Sequence, residues 1–109
     1  MTSKLRLALA GALLTSTIAS VPVIAEAQVS VRGVRSCGVW ARDRDNSDKA
    51  WLVGFLSGMA FQSNIDALRG TDNETMYMWI DKFCRDNPLK DIADGAEELF
   101  GQLRRKRGL

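Results

Sequence analysis

Histidine is absent from this chain of 109 residues. Without it, the chain has no side chain that ordinarily titrates near neutrality, and it lacks the imidazole that is common in zinc sites. It also contains no P-loop, no Gly-x-Ser-x-Gly segment and no zinc signature. These absences predict a protein that is not an enzyme and that uses no metal and no cofactor.

Long hydrophobic runs and an excess of charge of one sign are lacking too. The charge-free run around Trp51–Phe61 is too short to span a bilayer, which excludes a membrane dimer formed through its glycines. Fifteen basic residues oppose thirteen acidic ones, a net charge of +2. So small an excess selects no partner through a long-range field, and we expect no nucleic-acid binding.

The N-terminus has the order of a secretory signal. Lys4 and Arg6 precede an apolar run from Leu5 to Ile18, and Ala25-Glu26-Ala27 supplies the small residues that a signal peptidase requires. We therefore predict a cleavable signal peptide over residues 1–27, export through the Sec pathway and a periplasmic location. A membrane anchor is the alternative, disfavoured because the run is short. Cleavage near Ala27 leaves one domain, residues 28–109, with no stable membrane insertion.

Only two cysteines are present, Cys37 and Cys84, and both belong to the predicted mature domain. In an exported domain of 82 residues, such a pair indicates one intramolecular disulfide, worth about 4 kcal/mol in the chain-entropy model. A reactive or metal-binding thiol pair is the alternative. The spacing is not Cys-x-x-Cys, which disfavours it.

The hydrophobic pattern predicts an all-α fold, a small single-domain bundle of about three to five helices stapled by that disulfide. Residues 28–36 read as a short extended arm or a flexible lead-in, followed by a short helix anchored by Cys37 and Trp40. A central helix follows from an N-cap at Ser47, with apolar residues on nearly every side. Its Gly54-x-x-x-Gly58 groove is expected to receive one of the later helices.

Two further helices are predicted after residues 65–68, which form either a last turn or a short helix ending at Gly70. Thr71 and Glu74 make a capping box for the next helix, whose core stripe contains Met76, Ile80, Phe83 and Cys84. The last helix is expected to start at Asn87, with Pro88 in its first position. Its apolar repeat is formed by Leu89, Ile92, Ala93, Ala96, Leu99, Phe100 and Leu103.

The polar side of the last helix leaves three questions open. Asp91, Asp94 and Glu98 can form a cation site or an acid/base pair, but a solvated outer face explains them better. Gly95 is either a weak point or a contact with another helix. The last turn contains four cations, Arg104, Arg105, Lys106 and Arg107. We interpret them as stabilising the negative end of the helix dipole. The alternative, contact with nucleic acid or anionic lipid, is less favoured.

The candidate functional surface consists of three aromatic residues and one methionine. Trp51, Phe55 and Met59 recur one helical turn apart, and Trp79 lies on the following helix. The simpler interpretation places these residues in the core. The alternative is an apolar face that binds clients or a partner protein when the domain loosens or a homodimer dissociates.

Three short motifs carry a family resemblance: Ser36-Cys37-x-x-Trp40, Ala50-Trp51 leading into the Gly-x-x-x-Gly helix, and Phe83-Cys84-Arg-Asp-Asn87-Pro88. In this order the chain resembles the HdeA/HdeB-like periplasmic acid-stress chaperones. The resemblance implies a small helical protein with one disulfide that binds unfolded clients at low pH. The composition agrees, because protonating the twelve carboxylates of the predicted mature domain, residues 28–109, would leave its thirteen basic side chains unopposed.

A second resemblance is to the Tai-type immunity proteins of secreted amidases, which are small periplasmic helical domains. The glycine helix, Asn87-Pro88 and residues 93–99 carry it. It implies the alternative function, a periplasmic binding protein that neutralises one secreted enzyme.

Overall fold

The computed structural model describes residues 11–19 and 29–109. Within them the chain forms four helices, α1 (Cys37–Asp43), α2 (Asn46–Ser63), α3 (Asn73–Asp86) and α4 (Ile92–Lys106), and no strand. This confirms the predicted all-α fold. No described helix combines the length and the apolarity needed to cross a membrane. The basic start of the predicted signal and its cleavage site lie outside the described residues, so the signal peptide stays a prediction.

The disulfide is the covalent centre of the bundle. Cys37 at the start of α1 is bonded to Cys84 near the end of α3, and both residues are buried. Helix α4 packs against both α2 and α3. The residues at the centre of this packing are Trp40, Leu52, Leu56, Ala67, Met76, Ile80, Phe83, Ile92, Ala96, Leu99 and Phe100.

Helix α2 begins earlier than its predicted cap. The N-cap is Asp45, whose carboxylate accepts hydrogen bonds from the backbone N–H and the hydroxyl of Ser47, at 2.8 and 2.9 Å. The prediction of Ser47 as N-cap was therefore wrong, because the serine donates to the cap instead of forming it. The helix ends at Asn64, which has the left-handed conformation (φ 55°).

The prediction that α2 is buried on nearly every side was also wrong. Only Asp48, Leu52 and Leu56 are buried, whereas Gly54, Ser57 and Gly58 are exposed and Phe61 is 88% exposed. Three other helices in so small a domain cannot surround an 18-residue helix, so α2 has one buried stripe and one open side.

Helix α3 is capped by Asp72, one residue after the predicted cap. Its carboxylate accepts the backbone N–H of Thr75 at 2.7 Å, so the capping box predicted from Thr71 and Glu74 was wrong. The preceding residues 67–70 form a turn rather than a helix. Gly70 in that turn has the predicted left-handed conformation, with φ 79°.

Helix α4 begins at Ile92, so the prediction of a start at Asn87 and Pro88 was wrong. Asp91 is the cap and forms a capping box with Asp94: each carboxylate accepts the other residue's backbone N–H, at 2.9 and 3.2 Å. The Asn87 side chain instead donates to the carbonyl of Phe83 and closes α3.

The apolar repeat of α4 is correspondingly shorter than predicted, because Leu89 precedes the helix and is 99% exposed. Asp94, Glu97 and Glu98 are exposed on the outer face, as expected, whereas Asp91 is half-buried and precedes the helix as its cap. Among the residues that the structure describes, no cluster of acidic, cysteine or histidine side chains could hold a metal ion.

Gly95 is a contact point between α3 and α4. A Cβ placed on it would lie 2.8 Å from Cδ1 of Phe83 and 3.0 Å from Cδ1 of Ile80. The absence of a side chain thus lets the two helices approach closely. This decides between the two roles that the sequence left open for Gly95.

Candidate protein-binding face

One side of α2 carries the predicted apolar face. The rings of Trp51 and Phe55 stack with their centroids 4.8 Å apart and their planes within 12° of each other. Met59 lies one turn further along, and all three side chains are half-buried against the core. The helix therefore presents a continuous apolar row that is neither fully buried nor free.

The segment 32–36, which we call the strap, covers the N-terminal end of this row. The indole Nε1 of Trp51 donates to the carbonyl of Arg32 at 2.8 Å, and a Cβ on Gly33 would lie 3.2 Å from the indole ring. Gly33 has φ 74°, a conformation that a residue with a side chain rarely adopts. Arg35 donates to the carboxylate of Asp48 in α2 at 3.2 Å.

The strap is tied to the start of α4 as well. Cys37 donates its backbone N–H to the carbonyl of Lys90 at 2.9 Å, and Ile92 donates to the carbonyl of Arg35 at 3.0 Å. A strap tied at both sides holds Trp51 in place. Of the segment that the sequence left as an extended arm or a flexible lead-in, residues 32–36 make these contacts, whereas residues 29–31 are exposed.

The Asp48–Arg35 pair is the polar contact that fixes the strap to α2. The Asp48 side chain is only 6% exposed, whereas that of Arg35 is 54% exposed. A carboxylate this buried is stable only while a donor satisfies it. Sequence analysis did not identify this pairing, because no local pattern connects Asp48 to residue 35.

The glycine groove of α2 is open. No atom outside the local backbone lies within 4 Å of a Cβ placed on Gly54 or Gly58, so the prediction that α3 or α4 is seated there was wrong. The groove forms a depression of about 610 Å³ that continues the apolar row. Its lining residues are Gly54, Phe55, Gly58, Met59, Gln62, Ser63 and Phe100.

Trp79 lies apart from this face. Its ring stacks on Phe83 with centroids 5.8 Å apart, and its Nε1 donates to Oε1 of Gln102 at 2.8 Å. The depression that it lines is formed by α3 and α4 without α2. Of the four residues predicted to form one apolar face, the structure joins Trp51, Phe55 and Met59 and separates Trp79 from them.

A polar cluster beside the disulfide was not predicted. Asp81 accepts Trp40 Nε1 at 2.8 Å and a guanidinium N–H of Arg44 at 3.1 Å. Trp40 follows Cys37 by three residues and Asp81 precedes Cys84 by three, so the disulfide places both side chains on adjoining helix turns. The equal three-residue spacings from each cysteine were the only feature of the sequence that could have indicated this contact.

Several carboxylates at helix starts and in ion pairs have lowered pKa values. The backbone N–H of Ser47 lowers the pKa of Asp45, and that of Thr75 lowers the pKa of Asp72, because each hydrogen bond favours the charged form. A hydrogen bond from Lys82 likewise lowers the pKa of Asp86. Since α4 also starts at an aspartate, three of the four helices depend on a carboxylate cap.

Comparison with known proteins adds no relative. No family model matches this chain, and no curated protein and no solved structure is significantly similar to it. The likeness to the two periplasmic families therefore rests on the short sequence motifs alone: those around Cys37, Trp51 and Cys84 for the first family, and the glycine helix, Asn87-Pro88 and residues 93–99 for the second.

Proposed function

We propose that this chain is an exported, non-enzymatic protein that resembles the acid-stress chaperones and binds unfolded clients at low pH. One observation supports this proposal above the others. The strap over Trp51 is fastened to the first turns of α2 by an ion pair between Arg35 and the buried carboxylate of Asp48. This pair lies close to the Asp45 cap, whose pKa is lowered by the backbone N–H of Ser47.

Acid acts on the strap through the start of α2. The Asp45 cap, whose pKa is lowered by the backbone N–H of Ser47, loses its stabilising effect as pH falls, which weakens the helix turn that holds Asp48 against Arg35. Movement of the strap removes the acceptor from the Trp51 indole and uncovers the Trp51–Phe55 stack. The result is an apolar surface that binds exposed hydrophobic segments of clients.

The helix caps act in the same direction. The pKa of Asp45 and the pKa of Asp72 are lowered in the folded domain, so each carboxylate contributes stability that is present above the unfolded value of 3.8. That contribution is lost as pH falls through the lowered folded pKa. Helices α2 and α3 are therefore destabilised at their first turns in the acid range. The strap crosses α2 near the first of these two places, at Asp48 and Trp51.

The disulfide limits how far acid can open the chain. The Cys37–Cys84 bond joins α1 to α3 and does not titrate, so the chain between them stays closed at every pH. With the carboxylates neutral, thirteen basic side chains on the predicted mature domain keep a client complex soluble by repulsion.

Client aggregation at pH 2 to 3 tests the proposal. Full suppression of client aggregation is expected at a stoichiometric excess of the protein. Phe55→Ser should weaken it, whereas Leu89→Ser, which removes an equally apolar but fully exposed side chain outside the face, should not. Absence of protection by the native chain would refute the chaperone proposal.

A second candidate is a protein that neutralises one secreted enzyme, as the Tai-type resemblance implies. The open groove at Gly54 and Gly58 favours it, because this surface is accessible without any acid-driven change. A pull-down from periplasm and culture supernatant at pH 7 separates the two functions. Retention of a single secreted enzyme supports the second candidate, and retention of none supports the first.

A further inference from the structure

The last turn of α4 and the residues after it form an ordered cationic end. Arg104, Arg105, Lys106 and Arg107 are consecutive, and at 3.6 residues per turn their side chains point to every side of the helix. Gly108 has φ 70°, and the backbone N–H of Leu109 returns to the carbonyl of Arg104 at 2.8 Å. We call residues 104–107 the basic turn.

No acidic side chain in the part of the chain that the structure describes forms an ion pair with the basic turn. Arg104 is half-buried and donates to the carbonyl of Leu109, while Arg105, Lys106 and Arg107 are exposed. Compensation of the helix dipole requires about half a unit of charge, far less than the four present. Most of this charge is therefore free to interact with another molecule.

The charges of the domain are segregated. From residue 29 to 103 there are nine basic and twelve acidic residues, a net charge of −3, against +4 in the basic turn. Such a molecule is an electric dipole. A negatively charged surface would attract its basic turn and repel residues 29–103, which carry a net negative charge. The charge pattern therefore fixes an orientation as well as an attraction.

The flanking residues indicate which kind of anionic surface fits. No aromatic side chain lies within the basic turn itself, so the turn lacks the interleaved aromatic residues on which unpaired bases stack. Leu109 is 50% exposed beside the cations, and an apolar side chain next to basic residues is the combination that favours a lipid headgroup region. These features favour a bilayer over a nucleic acid.

We propose that the basic turn docks this protein onto anionic phospholipid surfaces, with α4 end-on and the apolar face of α2 left free. Each basic residue near such a surface contributes roughly fivefold in affinity, so the four together contribute several-hundredfold. Attraction of this strength is reversible and falls steeply with salt.

Vesicle co-sedimentation at pH 7 tests this. The probes are vesicles of phosphatidylcholine alone and vesicles with about a third phosphatidylglycerol, which provides the anionic surface. We expect binding to the second kind only. Changing all four basic-turn residues to Gln should abolish it, whereas changing Arg69, Lys82, Arg85 and Lys90 to Gln, an equal loss of charge elsewhere, should reduce it only slightly.

Replacing the three arginines of the basic turn with lysine separates charge from geometry. Attraction to an anionic bilayer depends on charge and not on the shape of the cationic group. The affinity of this variant for the anionic vesicles should therefore be within about threefold of that of the native chain. Equal losses in the two Gln variants would overturn the proposal. So would loss of binding in the lysine variant, or tighter binding to a single-stranded oligonucleotide or an acidic protein than to the vesicles. Circular dichroism establishes that every variant is folded.

Discussion

Gly95→Ala and Gly58→Ala are the same substitution in the middle of two helices, and the structure predicts opposite effects on stability. A Cβ at Gly95 would lie 2.8 Å from Phe83 and 3.0 Å from Ile80. Phe83 cannot give way easily, because it is buried and its ring is stacked on Trp79. A Cβ at Gly58 meets no atom within 4 Å.

The magnitudes follow from these contacts. Replacing glycine with alanine inside a helix gains about 0.8–1 kcal/mol of helix propensity. At Gly58 nothing opposes this gain, so the unfolding free energy should rise by about 1 kcal/mol. At Gly95 an overpacking cost of about 1–3 kcal/mol opposes it. The free energy of unfolding should then fall by up to about 2 kcal/mol, and the difference between the variants measures the overpacking alone.

Urea unfolding followed by tryptophan fluorescence and by circular dichroism measures both variants against the native domain. Thermal unfolding is a second measurement, because a change of 1 kcal/mol in the free energy of unfolding should shift the melting temperature of a domain this small by about 5 °C. A shift of this size is large enough to show whether each variant is stabilised or destabilised. If Gly95→Ala stabilised the domain as much as Gly58→Ala does, the close approach of α3 and α4 would be refuted.

Three further predictions concern the disulfide and the carboxylates. Changing Cys37 and Cys84 to Ala should lower the free energy of unfolding by about 4 kcal/mol, since the bond spans 47 residues; urea unfolding without reductant measures it, and an unchanged midpoint would contradict it. Asp72→Asn should preserve the N-cap of α3 at pH 7, because asparagine also caps helices. Below pH 4 the variant should lose less stability than the native domain, because only the aspartate has a lowered pKa and is protonated there. Melting temperatures measured from pH 7 to 2 test this. Asp48→Asn should cost about 1 kcal/mol and increase acrylamide quenching of Trp51 at neutral pH, and unchanged quenching would contradict the strap's role.

The helices and the disulfide could be predicted from the sequence because their signals are local or compositional. The apolar stripe through Met76 and Ile80 has helical spacing, and two cysteines in a chain permit only one pairing. The exact starts of helices could not be predicted. Asp45, Asn46 and Ser47 can each cap a helix, and local preference does not choose among them.

Long-range contacts decided what the local pattern left open. Helix α4 cannot begin at Pro88, because Lys90 and Ile92 are committed to hydrogen bonds with Cys37 and Arg35. In α2 the apolar residues are spread around the helix, so periodicity could not show which side is open. The strap was missed for the same reason, since its partner Asp48 lies thirteen residues away from Arg35 without a repeating pattern.

The indole N–H resonances of the three tryptophans test the central claim, that acid releases the strap before it opens the core. Each indole donates to a different kind of acceptor: a carbonyl in the strap for Trp51, the carboxylate of Asp81 for Trp40, and the uncharged amide of Gln102 for Trp79. In a ¹H–¹⁵N titration from pH 7 to about 2.5, the account predicts that the Trp51 resonance shifts to the position of a solvent-exposed indole while that of Trp79 stays in place. A Trp51 resonance that does not move, or one that moves only together with Trp79, would contradict it.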